Sequence, residues 1–210
     1  MVTERTDQRR EAGQRTREGL LAATVELLAQ HGQEGVTLRE ITDHAGANVS
    51  AVSYHFGSLK TLCDSAIEHA LEQYLDAQMT AVASLGAASS IEDLAAAFIK
   101  PMMRALATGG PDLAVIRTVA RVGIDPPENW GRLNAKFQQS RRELSGKLAA
   151  NLPGIDEREL DFRIRCAAGM LNWLTLAPIG AELAAEPPGQ IERWLVPVLA
   201  GAFRGSPNPG

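Results

Sequence analysis

The sequence predicts an all-α protein, with a small N-terminal module of three helices followed by a larger C-terminal helical domain. Apolar residues recur at spacings of three and four over most of the chain, and the alternation that marks strands is nearly absent. Gly- and Pro-rich clusters punctuate the pattern between the periodic stretches. A length of 210 residues suits one small module plus one larger domain.

The first helix is expected at about 16–30, with Leu21, Val25 and Leu28 on one stripe, Leu20 and Leu27 beside it, and Gly32 and Gly35 ending it. Ahead of it, residues 1–14 read as a flexible basic arm, whose Arg5, Arg9 and Arg10 continue into Arg15 and Arg17. The stretch Thr37-Leu38-Arg39-Glu40 is a capping box: the threonine hydroxyl accepts from the Glu40 amide while the Glu40 carboxylate reaches back to the Thr37 amide. The helix it starts has Leu38, Ile41 and Ala45 on one edge and ends at Gly46 after barely two turns. Asn48 is a good N-cap for another short helix through His55.

From Ser58 a long helix carries an apolar stripe, Leu59, Leu62, Ala66, Ile67, Leu71 and Leu75, opposite Lys60, Asp64, Glu68, Glu72 and Asp76. After the linker at 86–90, further helices are expected at about 91–107, 112–123, 127–151, 157–184 and 190–203. The domains so defined are the arm at 1–14, a three-helix module at 15–62, a helical domain at 63–204 and a disordered tail at 205–210.

The composition narrows the function classes. A hydrophobic fraction of 45%, a charged fraction of 22% and a net charge of −4 describe an ordinary globular protein, not one that coats nucleic acid nonspecifically. Any grip on DNA must therefore be local. Cys63 and Cys166 sit in apolar helical patterns without metal-ligand spacing and read as reduced core thiols, and no metal or cofactor is expected. No leader resembles a signal peptide, so the expected location is the cytoplasm. Zincin, nucleophile-elbow and phosphate-loop motifs are absent, and His31, His44, His55 and His69 form no convincing pair, so no catalytic residue is assigned.

Two short capped helices joined by a glycine turn, with one helix before and a long one after, form a helix-turn-helix pattern. The residues Thr37-Leu38-Arg39-Glu40-Ile41, Ala45-Gly46-Ala47-Asn48 and Tyr54-His55-Phe56-Gly57-Ser58 with Leu62 closely resemble the DNA-binding domain of the TetR family of repressors. The resemblance covers about residues 14 to 62; the rest is similar only in helical layout and length. It implies a helix-turn-helix domain whose residues 48–55 form the recognition helix in the major groove. It also implies a dimer on a near-palindromic operator, acting as a repressor that a small molecule releases.

The residue types suit that role. Ser50, Ser53 and Tyr54 share one face of the short helix, opposite Val52 and Phe56, and base edges are read from such a face. Val49 either touches a thymine methyl or joins Val52 and Phe56 on the inner stripe. Tyr54 and His55 match phosphate-holding positions of the family, with packing or capping as the alternative for His55. Thr37 and Arg39 stand at a helix N-terminus that favours an anion, Arg39 being otherwise a solvated charge. Arg17 and Asn48 complete the candidate DNA-binding set with Lys60. Here the sequence departs from the family: its usual phosphate-binding lysine falls at Leu59, and Lys60 is turned about 100° away.

The resemblance further implies that the C-terminal helices enclose an effector pocket and that the last two pack against a partner subunit as a four-helix bundle. Candidate pocket residues are Phe98, Met102, Trp130, Phe137, Met170 and Trp173, because aromatic and methionine side chains can line apolar cavities, although residues of this pattern are more often plain core. Arg117 stands on an apolar stripe, so its charge must meet a neighbouring helix's carboxylate, snorkel to solvent or pair with an acidic effector. An activator with the same grip, a helical small-molecule-binding protein or an enzyme are the alternative readings.

Overall fold

The computed structural model of the protein describes residues 2–128, 130–176 and 185–205, with side chains described for all of these but residues 2–6, 130, 132 and 188. Among the described residues the secondary structure is entirely helical: α1 (Val2–His31), α2 (Leu38–Ala45), α3 (Val49–Phe56), α4 (Leu59–Ala83), α5 (Ile91–Thr108), α6 (Gly110–Ile124), α7 (Trp130–Ala149), α8 (Glu157–Leu176) and α9 (Pro188–Arg204). None of these is long and apolar enough to cross a membrane.

The expected helix starts and stops agree with the sequence reading to within a few residues, with one substantial exception. Residues 1–14, expected as a flexible arm, are helical from Val2 onward. Once Leu20, Leu21, Val25 and Leu28 are packed, adding turns to the N-terminal side needs no new nucleus, and Glu, Gln and Arg are good helix formers. Gln14 donating to Glu18 at 2.8 Å supports the extension locally. Of the expected tail, residues 206–210 lie outside the described residues, as does the end of the helix expected to reach 184.

Two cores organise the helices. The first joins Leu20, Val25 and Leu28 of α1 to Ile41, Val52, Phe56, Leu62 and Ile67, and it also takes in Val119 and Val122 of α6 and Leu133 of α7. The three-helix module is therefore roofed by helices that follow it by more than fifty residues. The second core gathers Val82, α5, Leu144 and Leu148 of α7, Ile164 and Leu171 of α8, and Ile191, Leu199 and Phe203 of α9. Phe98 meets Phe203 edge to face at 5.9 Å between ring centroids. α5 packs along α9, and α6 is held among α1, α4, α5 and α8.

Cys63 is partly buried and burial pushes its thiol up to about 11, whereas Cys166, expected in the core, is exposed. It lies on a face of α8 shared with Phe162 and Trp173, which are 65% and 56% exposed. On α9, Trp194 and Val198 are likewise exposed. Spacings of four and seven put each set on one helical face that this single chain leaves uncovered.

Candidate nucleic-acid interface and ligand cavity

The short helices are built as their sequence requires. Thr37 caps α2: its oxygen accepts from the Glu40 amide at 3.3 Å, and its own amide donates to the Glu40 carboxylate at 3.0 Å. The hydroxyl and then the amide of Thr37 hold the Glu40 carboxyl below its usual range. Gly46 closes α2 at φ 60° and ψ 32°, the left-handed region where a Cβ is costly, and the turn brings Asn48 to the start of α3. The Asn48 side-chain oxygen accepts from the Ala51 amide at 2.9 Å and from the Ser50 hydroxyl at 2.5 Å.

Val52 and Phe56 are buried and seat α3 on the first core. That leaves Ser50, Ser53 and Tyr54 facing outward, with Tyr54 84% exposed. Val49, whose sequence position allowed two readings, is 49% exposed and lies on the outer face. His55 is half-buried, edge to face with Tyr54 at 4.8 Å and close to Gly13 of α1. The Arg17 guanidinium lies 5.2 Å from the centroid of the Phe56 ring, so its charge is anchored at the edge of the same surface. Arg15 and Thr16 line a shallow groove with Asn48, Ser50, Tyr54 and His55. Their place in it follows from the packing of α1 beside α3, which no local spacing announces.

Arg39 projects into solvent, 90% exposed, with only Asp43 at 3.7 Å. Leu59 packs against the first core, as its pattern implied. Lys60 is engaged by Glu128, between α6 and α7, at 3.2 Å and by Asp64 at 3.7 Å. The bond to Glu128 and the nearby Asp64 charge raise its pKa.

In the second half, a cavity of about 230 Å³ opens between α4, α5, α6, α7 and α8. Its apolar wall is made by Leu75, Phe98, Val119, Phe137, Ile164 and Leu171. Gln78, buried on the stripe of α4, donates to the Phe98 carbonyl at 2.9 Å and to the Tyr74 hydroxyl at 3.2 Å, while Ser140 donates to its oxygen at 2.8 Å. Burial pushes the Tyr74 phenol up to about 12. Arg141 and Arg165, on α7 and α8, both reach the cavity and share Asp161, at 3.2 and 2.6 Å.

Of the pocket residues expected from sequence, Phe98 and Phe137 line this cavity. Met102 is instead buried in the second core, Met170 packs against its edge, and Trp173 points outward from α8. The Trp130 side chain lies outside the described residues. Arg117 does not reach the cavity: Val119 and Gly123 form the cavity face of α6, and Arg117, two residues from Val119 and thus about 200° around the helix, lines a separate groove with Glu26, Ala29 and Gln30 of α1. The cavity arginines escaped the sequence reading because neither interrupts an apolar stripe. Gln78 did carry a signal, as an amide at an apolar register position of α4.

α6 also grips α1. The Thr118 hydroxyl donates to the Val25 carbonyl at 3.1 Å, and the Arg121 guanidinium donates to the carbonyls of Ala29 and Gln30 at 3.1 Å each. One helix thus touches the cavity on one face and the α1 C-terminus on another. Among the described residues no cluster of three His, Cys, Asp or Glu could hold a metal ion.

Comparison with known proteins gives two family matches. Residues 20–64 match bacterial regulatory proteins of the tetR family, and residues 96–202 match the tetracyclin repressor-like C-terminal domain. No curated protein matches the chain. Among solved structures, the TetR family transcriptional regulator PfmR from Thermus thermophilus is 16% identical, with 90% of this chain and 96% of that one covered and a TM-score of 0.61. The ketosteroid transcriptional regulator KstR2 of Mycobacterium tuberculosis is 16% identical, with coverages of 90% and 95% and a TM-score of 0.60. FadR from Bacillus subtilis, in complex with stearoyl-CoA, is 14% identical, with coverages of 88% and 98% and a TM-score of 0.62.

Proposed function

The chain belongs to the TetR family of bacterial regulatory proteins and is a DNA-binding transcriptional regulator, and from that premise we propose that it is a repressor released from its operator by a small molecule. The observation that carries the DNA-binding surface is α3, whose inner residues Val52 and Phe56 are locked in the core while Val49, Ser50, Ser53 and Tyr54 face outward. A rigidly seated helix with small polar side chains at its start can lie in a major groove and read base edges. Thr37, Arg39, Asn48, His55 and Arg17 flank it as phosphate contacts.

Two such helices read a near-palindromic operator, and the uncovered apolar faces of α8 and α9 are where a second copy docks. The cavity between α4 and α8 is the effector site; the Bacillus subtilis relative likewise takes a small-molecule ligand, the much larger stearoyl-CoA. α6 carries the message, because a ligand against Val119 and Gly123 displaces the helix whose Thr118 and Arg121 hold α1. The protein binds its ligand without turning it over.

Footprinting on DNA upstream of the protein's own gene tests this reading. Protection of a near-palindromic site that weakens steeply with salt is the expected result. Absence of protected sequence at micromolar protein would refute it.

A further inference from the structure

The polar lining of the cavity contains a neutral part around Gln78 and a charged part around Arg141. Gln78 uses its amide on Phe98 and Tyr74 and its oxygen on Ser140, so the Gln78 side chain itself is already engaged. The arginines differ. Arg141 is only 15% exposed, yet its Nε bond to Asp161 is the one hydrogen bond its guanidinium makes among the described residues. Arg165 spends its own Nε on the other oxygen of the same carboxylate. One carboxylate therefore serves two guanidiniums, and Arg142 adds a third positive charge nearby. The excess is felt at Arg141, whose pKa is lowered by burial and then by repulsion from Arg165.

We propose that this cavity takes a small organic acid with an apolar body, its carboxylate bound by Arg141 and Arg165 and its body held by Phe98, Phe137, Val119 and Ile164. The proposal rests on the cavity being the effector site. A guanidinium largely removed from water gains most from a planar anion that accepts two parallel N–H bonds. A cationic ligand would be repelled, and a neutral one would leave the charge excess uncompensated. The volume of about 230 Å³ is below the roughly 300–1,000 Å³ of drug-sized ligand sites, which limits the body to one ring or a short branched chain.

Calorimetry on the full-length protein with phenylacetate, benzoate and 3-methylbutanoate, each against its own amide, tests the charge requirement without any substitution. At least one acid should bind at least tenfold more tightly than its amide, and inorganic phosphate and acetate, lacking the body, should bind at least tenfold more weakly than that acid. Arg141→Met should lower the affinity for the acid at least tenfold, and Arg165→Gln, at a half-exposed position, serves if the first variant fails to fold. The idea is overturned if no acid exceeds its amide tenfold, if phosphate matches the best acid, or if the folded variant keeps full affinity. An operator footprint without ligand separates the two readings: its absence refutes the repressor, while acid binding that leaves the footprint unchanged refutes release by this ligand and keeps the acid site.

Discussion

On the proposed reading, Arg39 serves DNA binding without serving the fold. It is 90% exposed and its one near neighbour is Asp43 at 3.7 Å, so little structural energy rides on it. Its charge at the start of α2 suits a phosphate. Arg39→Ala should weaken binding to all DNA sequences alike and reduce the slope of log K against log salt by about 0.9, the loss of one phosphate contact; a mobility-shift series over salt reads both, and an unchanged slope removes Arg39 from the interface. Gly46 is the converse case. A Cβ there would meet no atom within 4 Å, but φ is 60°, so the penalty is purely conformational. Gly46→Ala should cost about 1–2 kcal/mol of stability and Gly46→Asn less, because asparagine visits the left-handed region more readily; thermal melts of the two variants check the order.

At the scale of elements, helix starts and the contacts of α6 carry the most information. Thr37 and Glu40 at α2 and Ser90 and Asp93 at α5 both form capping boxes, and in each the cap hydroxyl and amide hold the carboxyl below its usual range. The folded state thus favours the ionised form. Its contribution is complete above the ordinary carboxylate range and is lost as pH falls through the lowered values. Glu40→Gln combined with Asp93→Asn should flatten part of the acid limb of a melting-temperature profile, and a profile parallel to the parent's would refute this. For α6, Thr118→Val with Arg121→Gln removes three bonds to α1 carbonyls and leaves the cavity lining intact. Coupling energies of about 1–3 kcal/mol correspond to roughly 5–150-fold changes in affinity. The ratio of operator affinities without and with a bound acid should fall toward one in this variant, and an undiminished ratio would place the transmission elsewhere.

For the whole molecule, the uncovered faces of α8 and α9 predict the assembly. Phe162 and Trp173 are more than half exposed and touch little of their own chain's core, so charging them should spare the protomer. Phe162→Glu with Trp173→Glu should give a monomer in sedimentation at micromolar concentration and abolish tight operator binding. The parent should be a dimer with recognition helices about 34–36 Å apart, or a multiple of the DNA repeat. A parent that sediments as a monomer would refute the assembly.

The sequence by itself determined the helical class, nearly every helix boundary, the capping box at Thr37, the turn at Gly46 and the outward set Ser50, Ser53 and Tyr54. All of these rest on interactions within a few residues of chain, where capping chemistry and helical period suffice. Phe98 and Phe137, singled out from sequence as pocket candidates, line the cavity, whereas Arg117, singled out as a partner for an acidic ligand, does not. Only the tertiary structure shows that Arg141 lines the cavity and Arg117 does not, because both are arginines on amphipathic helices and the difference lies in what each one faces. The same holds for Lys60 drawn to Glu128, for Cys166 on an open face, and for Arg121 on α1 carbonyls more than ninety residues away. Local pattern says which face of a helix is apolar; what covers that face is set by the packing of helices distant in sequence, where partners such as backbone carbonyls leave no trace in residue type.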